Sequence, residues 1–263
     1  MIALLAVIGA FAGVIGGLLG VGGGIVLVPA FFYAFGHLGF GGPQLMQVCV
    51  ATSLATIVVT SLRSAAGHHR KGALDRAVLR RWGPFLVLGA VLGVLVATRL
   101  ASTTLQAVFG VLAGLAGLYM AFGRDRWRLG TAMPAHPVAG GLAGLVGFLS
   151  VLMGIGGGTF GVPLMTLYNQ PIHRAVGTAS AFGLLIALPS VLGFFLLPVA
   201  LAPPYTIGAV NLPAFFVVIG TTLITTPWGV RLAHAMDPKP LRRAFAVFLV
   251  LVAANMLRKV AGW

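Results

Sequence analysis

The sequence predicts an all-α membrane protein that crosses the bilayer several times, and two observations carry this prediction. Of its 263 residues, 59% are hydrophobic and only 8% are charged, whereas soluble domains carry about 25% charged residues. The hydrophobic residues fall into about eight stretches, and a membrane-spanning helix needs about 20 such residues. Almost no sequence remains for a soluble domain, so we expect one membrane domain over residues 1–263.

Two of the apolar stretches are too long for a simple span, and each contains a glycine cluster near its middle. The clusters are "GVGGG" at 20–24 and "GIGGG" at 154–158. Each glycine inside a helix costs about 0.8–1 kcal/mol relative to alanine. We therefore predict two half-helices joined by irregular backbone, either as a re-entrant hairpin or as a broken full crossing. The apolar stretches lie at about 3–36, 45–62, 83–99, 104–122, 137–168, 175–198, 207–230 and 242–260.

The connections between the stretches predict the topology. Residues 63–81, 123–136 and 231–243 are rich in Arg and Lys, whereas residues 199–206 carry no charge. Cytoplasmic loops of membrane proteins carry an excess of Lys and Arg. We therefore expect the three basic connections on the cytoplasmic side, with Trp82 and Trp127 beside them as interfacial anchors.

The chain contains an internal duplication. Pro29 and Pro163 follow the two glycine clusters at the same distance, and "RLA" recurs at 99–101 and 231–233. Repeat 1 covers about residues 1–123 and repeat 2 about residues 137–263. Equivalent connections differ in charge, which favours inverted repeats, as in many secondary transporters. A parallel repeat of four full spans is the alternative, and it would leave one basic connection outside.

The paired glycine clusters are the first candidate binding site. Irregular backbone at membrane depth is tolerated where it is buried in protein or lines a wet cavity. A half-helix that begins there offers free N–H groups and a positive dipole end to an anion. Close helix packing through small residues is the alternative. The candidate donors are the amides of Gly22, Gly23, Gly24, Gly156, Gly157, Gly158 and Thr159.

Small polar residues at the start of the next stretch in each half are the second set of candidates. Their hydroxyls would complete a cage for an oxyanion, or else bond to neighbouring helices or to their own helix. The hydroxyl candidates are Thr52, Ser53, Thr178 and Ser180, preceded by Gln47 and His173. For Thr221, Thr222, Thr225 and Thr226, helix packing is favoured over a role along a pathway.

Acidic residues are scarce, and this scarcity limits the chemistry. The sequence has Asp75, Asp125 and Asp237, all in connections, and no glutamate. We interpret Asp75 and Asp237 as helix N-caps, so a sodium site or proton relay built from carboxylates is not expected. No cofactor and no metal are expected either. The net charge of +14 suits lipid headgroups and a small anionic solute rather than nucleic acid.

Several motifs resemble the sulfite exporter TauE/SafE family of bacterial membrane permeases. They are "GLLGVGGGIVLVP", "GIGGGTFGVP", "ATSLATIVVTSLRSAAGHHRKG", "HRAVGTASAFG" and "RLAHAMDPKPLRRAFAVFLVLVAANML". The resemblance implies a multi-pass exporter of sulfite or small organosulfonates in the bacterial cytoplasmic (inner) membrane. The family often has Gly-Thr-Ser-Leu where this chain has Ala51-Thr52-Ser53-Leu54 and Gly177-Thr178-Ala179-Ser180. The hydroxyl positions of the two halves therefore differ.

We therefore predict a small-anion permease that works by alternating access about a midplane site. A passive anion channel and a permease for another small organic anion are alternatives that the sequence leaves open. An intramembrane enzyme is disfavoured because no acid and no spaced histidine cluster lies within the spans. A structural subunit of a larger complex is a further alternative, and the oligomeric state is open, a homo-oligomer included.

Overall fold

The computed structural model describes residues 2–19, 23–123, 127–135, 137–235 and 238–262. Within these ranges the chain forms ten helices and one pair of two-residue strands. The helices are α1 (Ile2–Leu19), α2 (Gly24–His37), α3 (Leu45–Arg70), α4 (Arg76–Ala97), α5 (Ser102–Phe122), α6 (Val138–Leu152), α7 (Gly158–Leu167), α8 (Ile172–Phe195), α9 (Leu212–Ala235) and α10 (Pro238–Val260). The antiparallel strands are β1 (Thr206–Ile207) and β2 (Val210–Asn211).

The described residues are not helical at Gly23 and at 153–157, which confirms the predicted breaks; residues 20–22 of the first cluster lie outside the described residues. Helix α2 begins directly after Gly23, and helix α7 begins directly after Gly157. In the second break Gly154 has a φ of +62°, a conformation that costs a residue with a side chain strain energy. The two stretches of about 30 residues are thus two helices each, so eight apolar stretches give ten helices.

Several predicted boundaries are wrong, including those of the basic connection 231–243, where α9 continues to Ala235 and α10 starts at Pro238. Helix α3 continues to Arg70 and α4 starts at Arg76, so only residues 71–75 connect them, and the basic run at 63–81 is mostly helical. Hydrophobicity indicates only the part of a helix that lies in the membrane. The polar, exposed end of α3 is also helical, so the helix is longer than the apolar stretch. The stretch predicted from 207 becomes helical only at Leu212, because β1 and β2 precede it.

Five of the described helices are long and apolar enough to cross a membrane. They are α3, α4, α5, α8 and the Leu212–Gly229 part of α9. The shorter apolar helices are those beside the breaks, including α2, α6 and α7. The lengths therefore fit a polytopic membrane protein with long spans around short half-helices.

Helix α1 packs along α9 in the parallel direction. Gly9 lies against Val218, and Gly13 lies against Thr222 one turn further along both helices. Thr222 Oγ1 also donates a hydrogen bond to the carbonyl oxygen of Gly9 (3.2 Å). Small residues let the two backbones approach closely, which is how helices associate in lipid.

Helices α4 and α6 repeat this arrangement with the halves exchanged. Gly89 lies against Gly144, and Gly93 lies against Phe148, so these two helices are also parallel. A Cβ atom on Gly89 would overlap the carbonyl oxygen of Gly144. The contact between α1 of the first half and α9 of the second thus corresponds to the contact between α6 and α4.

Two further pairs join equivalent helices of the two halves. Helix α5 is antiparallel to α10, because Gln106 Nε2 donates to the carbonyl oxygen of Met256 (2.9 Å) and Gly117 lies against Val250. Helix α3 is antiparallel to α8: Gly183 lies against Ser61, and Gln44, directly before α3, donates through Nε2 to the carbonyl oxygen of Pro198, beyond the end of α8 (3.3 Å). In both pairs a helix and its equivalent therefore run in opposite directions.

The prediction that Trp82 is an interfacial anchor is wrong. Its side chain is fully buried and stacks on Phe182 with 5.8 Å between ring centroids. Trp82 belongs to the buried stripe of α4 with Val78 and Leu86, four residues to either side, so helical periodicity turns it toward the core. Trp127, the other predicted anchor, is 49% exposed.

Candidate functional site

The two glycine breaks meet inside the helical bundle. A Cβ atom on Gly24 would lie 2.9 Å from the carbonyl oxygen of Gly154 and 3.2 Å from Ile155 Cα. It would also lie 2.8 Å from Ile57 Cδ1, in the middle of α3. The start of α2 therefore packs directly on the break of the other half, and glycine is needed at this contact because a methyl group would not fit.

A cavity of about 100 Å³ lies between the breaks, and we name it the break cavity. Its wall combines glycine backbone from both breaks with side chains of α1, α3, α8 and α9. The lining residues are Ala12, Gly16, Gly23, Ile57, Thr60, Ser61, Ser64, Gly156, Gly157, Gly158, Ala179, Ser180, Gly183, Thr222 and Thr226.

Backbone amides are the donors that the breaks bring to this cavity. The first N–H groups of any α-helix have no acceptor within the helix, and they form the positive end of its dipole. Gly156, Gly157 and Gly158 line the cavity at the start of α7, and Gly23 lines it at the start of α2. Gly24 lies directly behind Gly23, against Ile57. Gly22 lies outside the described residues.

Thr159 is the second residue of α7, and its hydroxyl is unusual. Its Oγ1 atom is buried, and it has no hydrogen-bond partner among the described residues. The side chain is not among those that line the cavity. It therefore adds an unsatisfied hydroxyl to the same helix start that supplies the glycine amides.

Of the four predicted hydroxyls, only that of Ser180 lines the break cavity. Ser180 Oγ donates to the carbonyl oxygen of Gly177 in its own helix (2.6 Å). Ser53 Oγ donates instead to the carbonyl oxygen of Gly154 (2.7 Å), in a fully buried bond. Ser53 thus fixes the position of the second break rather than facing the cavity.

Thr52 and Thr178 bind the starts of helices in the opposite half. Thr52 Oγ1 accepts a hydrogen bond from the backbone N–H of Asn211 (3.0 Å), directly before α9. Thr178 Oγ1 accepts one from the backbone N–H of Asp75 (2.9 Å), directly before α4. Neither residue lines the break cavity.

Asp75 and Asn211 in turn cap the helices that follow them. Asp75 Oδ1 accepts from the N–H groups of Ala77 and Val78 (3.0 Å each), which confirms the predicted N-cap. Asn211 Oδ1 accepts from the N–H of Ala214 (3.0 Å). Each threonine therefore secures a capping residue of the other half. The cap predicted for Asp237 lies outside the described residues.

Gln47 and His173 also lie away from the break cavity. Gln47 Nε2 donates to the carbonyl oxygens of Ala97 (3.2 Å) and Leu100 (2.7 Å), while its buried Oε1 atom has no hydrogen-bond partner in the described part of the chain. It thereby holds the end of α4 against α3. His173 is exposed at the start of α8. Proximity in sequence to the hydroxyl positions does not bring either side chain to the breaks.

Sequence reasoning missed three hydroxyls of the cavity, Thr60, Ser61 and Ser64, on the second half of α3. Thr222 and Thr226 also line it, whereas Thr221 and Thr225 pack on Gly9 and Gly13 of α1. The signal that finds them is spacing: residues four apart share one face of a helix. Two pairs of the lining hydroxyls have this spacing: Thr60 with Ser64, and Thr222 with Thr226.

The break cavity is neutral but opens near positive charge. None of the described residues that line it is charged. Its deep part is made by the buried glycines 156–158, whereas Ser64 is exposed and marks the mouth. Arg63, Arg70 and Lys71 are exposed along the same end of α3. In the described part of the chain, no group of three His, Cys, Asp or Glu side chains could hold a metal ion.

A bundle of apolar helices with a small neutral cavity at two paired helix breaks defines a membrane transport protein. The sequence model of the family described as "Sulfite exporter TauE/SafE" matches residues 5–256. The chain belongs to this TauE/SafE family, and it is a multi-pass membrane transporter.

Two curated relatives carry names that agree with this class. A "probable membrane transporter protein" of Haemophilus influenzae is 31% identical over 262 residues, which cover 98% of both chains. A second protein with that description, from Methanocaldococcus jannaschii, is 28% identical and is matched over 98% of this chain and 96% of its own length. No solved structure matches the chain.

Proposed function

We propose that this protein is a secondary transporter that exports a small sulfur-containing anion, sulfite or an organosulfonate, across the bacterial inner membrane. The observation that carries the proposal is the break cavity, where glycines of both breaks line a neutral pocket at the starts of α2 and α7. Helix starts bind oxyanions through backbone N–H groups without any charged side chain. The description of the family suggests the sulfur oxyanion among small anions.

The helix directions support two inverted repeats, about residues 1–123 and 137–263. Equivalent helices α3 and α8 are antiparallel, as are α5 and α10, and the pair α1–α9 corresponds to α6–α4. Inverted repeats place the substrate near the bilayer midplane, between discontinuous helices. Such a fold presents the same site to either side by rocking one repeat against the other.

The first break is best interpreted as a re-entrant turn. Gly24, at the start of α2, lies against Ile57, whereas Gly154 lies between Val28 and Val50. Helix α2 therefore runs antiparallel to α3.

Helix α1 runs parallel to α3, because it is parallel to α9, which begins beside Thr52 and reaches Thr222 where Thr60 lines the cavity. Helices α1 and α2 are thus antiparallel to each other. Three further crossings then complete an odd number per half, which inversion requires.

The mouth of the cavity suggests which side it faces. Ser64 and the exposed bases Arg63, Arg70 and Lys71 share one end of α3, and bases mark the cytoplasmic side. Positive charge at a mouth raises the local concentration of anions. An inside-negative potential then drives an anion outward by about 2.3 kcal/mol per charge per 100 mV.

The closed end of the cavity favours a carrier over an open channel. Every residue of α3 from Leu45 to Ile57 is buried, and the Ser53–Gly154 hydrogen bond joins the halves there. The cavity of about 100 Å³ has room for several water molecules. It therefore suits a small oxyanion in an inward-facing state.

The test is efflux of sulfite and sulfoacetate from proteoliposomes that contain the purified protein. In Gly156→Ala the added Cβ would lie 3.4 Å from Ile57 Cγ2 and 3.6 Å from Gly183 Cα. These are ordinary contacts, so the variant folds with a methyl group among the lining residues, and we expect about tenfold slower efflux.

The matched control is Gly36→Ala, because a Cβ at Gly36 meets nothing within 4 Å. We expect unchanged efflux for this variant. If neither of these solutes nor a taurine-like sulfonate leaves the vesicles with or without a membrane potential, the proposed substrate class is wrong. Efflux of the wild-type protein that saturates and supports counterflow identifies a carrier, whereas non-saturable flux identifies a channel.

A further inference from the structure

The hydroxyl groups of the break cavity face it mainly as acceptors. A Ser or Thr hydroxyl has one hydrogen to donate and two lone pairs that accept. Four of the six lining hydroxyls donate that hydrogen to a backbone carbonyl oxygen. These are Thr60 to Thr56 (3.1 Å), Ser180 to Gly177 (2.6 Å), Thr222 to Gly9 (3.2 Å) and Thr226 to Thr222 (2.6 Å).

The cavity therefore has two chemically distinct parts. The glycine amides at 156–158 are donors and suit an anionic group. The oxygens of Thr60, Ser180, Thr222 and Thr226 offer lone pairs, which repel an oxyanion and attract a hydrogen-bond donor. Ser180 is the one predicted cage hydroxyl that lines the cavity. Because its hydrogen is donated to Gly177, it presents lone pairs to the cavity.

We propose that the transported solute is a small oxyacid in which the anionic group is accompanied by a hydrogen-bond donor, either a hydroxyl group or an ammonium group that makes the solute a zwitterion. The anionic group binds the glycine amides, and the donor binds the acceptor oxygens of α3, α8 and α9. An anion without a donor removes water from these oxygens and replaces none of their hydrogen bonds, which is unfavourable. This inference rests on the proposed function and narrows its substrate class.

Three sulfonates of similar size separate the alternatives. They are 2-aminoethanesulfonate, 2-hydroxyethanesulfonate and ethanesulfonate, which share the anionic group and differ in the donor. Each is loaded into proteoliposomes that contain the full-length protein, and its efflux is measured against protein-free vesicles. We expect at least one donor-bearing solute to leave about tenfold faster than ethanesulfonate, and the faster one identifies the donor.

Two neighbouring threonines of α9 supply a matched pair of variants. Thr226 lines the cavity, whereas Thr225 packs on Gly13. Both donate to the carbonyl oxygen four residues earlier, at 2.6 Å and 3.0 Å. Replacement by valine keeps the shape and removes the acceptor. We expect Thr226→Val to lower the ratio of donor-bearing to ethanesulfonate efflux about fivefold, and Thr225→Val to leave it unchanged.

Failure of this inference differs from failure of the proposed function. Ethanesulfonate efflux as fast as that of the other two overturns the inference and leaves an anion transporter. The same applies if Thr226→Val lowers all three rates equally, or if it abolishes a sodium dependence instead, which assigns the oxygens to a metal cation. No efflux of any sulfonate or of sulfite overturns both.

Discussion

Thr52 and Thr178 stand at equivalent positions in the two halves, and each accepts a hydrogen bond from the residue directly before a helix of the other half. The partner of Thr52 is Asn211, before α9, and the partner of Thr178 is Asp75, before α4. Both partners also cap their helices with a side-chain oxygen. The halves are thus tied together twice by the same device.

The residue that follows each threonine breaks this symmetry. Ser53 donates to the carbonyl oxygen of Gly154 in the opposite break, whereas Ala179 has no hydroxyl to do the same. Ser180, one position further, bonds within its own helix and lines the cavity. Both halves therefore share the bond to a helix-capping residue. The bond from the long helix to the opposite break, by contrast, is made by Ser53 of the first half and has no equivalent at Ala179 of the second half.

The largest expected effect comes from Gly154→Ala, which alters the break whose carbonyl oxygen Ser53 binds. Alanine at this position would keep a φ of +62° and place Cβ 2.9 Å from Val50 Cα. Backbone strain and overpacking together should lower the free energy of unfolding by about 3 kcal/mol. Unfolding of the purified protein by SDS in mixed micelles measures this.

Gly39→Ala is the control for the strain alone. Gly39 has a φ of +81°, and a Cβ there would meet nothing within 4 Å. We expect a loss of about 1 kcal/mol. Equal losses in the two variants would mean that the close packing of the second break contributes nothing to stability.

The sequence allowed the breaks to be predicted but not what surrounds them. Clustered glycines weaken a helix locally, so the break at Gly154 is visible in a short window. The partners of Thr52 and Thr178 are 159 and 103 residues away along the chain, and no local pattern reveals them. Trp82 was misplaced because its basic neighbours indicate depth in the membrane, whereas helical periodicity decides which way it faces.

Removing each threonine hydroxyl measures how much the hydrogen bonds of Thr52 and Thr178 to the capping residues contribute to stability. Thr52→Val and Thr178→Val leave an N–H group without its acceptor. The bond of Thr52 is fully buried and that of Thr178 is partly buried, so water replaces the second acceptor more readily. We expect losses of about 2 kcal/mol and about 1 kcal/mol in the free energy of unfolding.

The corresponding serine variants, Thr52→Ser and Thr178→Ser, keep the oxygen and serve as controls. We expect each to recover most of the stability that its valine counterpart loses. The order of the two valine variants is the decisive result in SDS unfolding. A larger loss for Thr178→Val would contradict the ranking by burial.

The smallest expected effect is that of Ser53→Ala, which removes a hydrogen bond that only the first half makes. In Ser53→Ala the buried carbonyl oxygen of Gly154 loses its donor, and hydrogen bonds between helices in membrane proteins are worth about 0.6 kcal/mol on average. In Ser180→Ala the bond lost is to Gly177, three residues earlier in the same helix. That bond does not join the halves, so we expect a loss near zero.

The two serine variants are compared by SDS unfolding in the same micelles, since a difference of this size requires a shared baseline. A loss for Ser53→Ala alone means that the contact between α3 and the second break stabilises the closed end of the cavity. Equal losses would show that both bonds act locally. In that case the bond from Ser53 to Gly154 stabilises the fold no more than a bond within one helix, and the asymmetry between the halves is one of geometry rather than of energy.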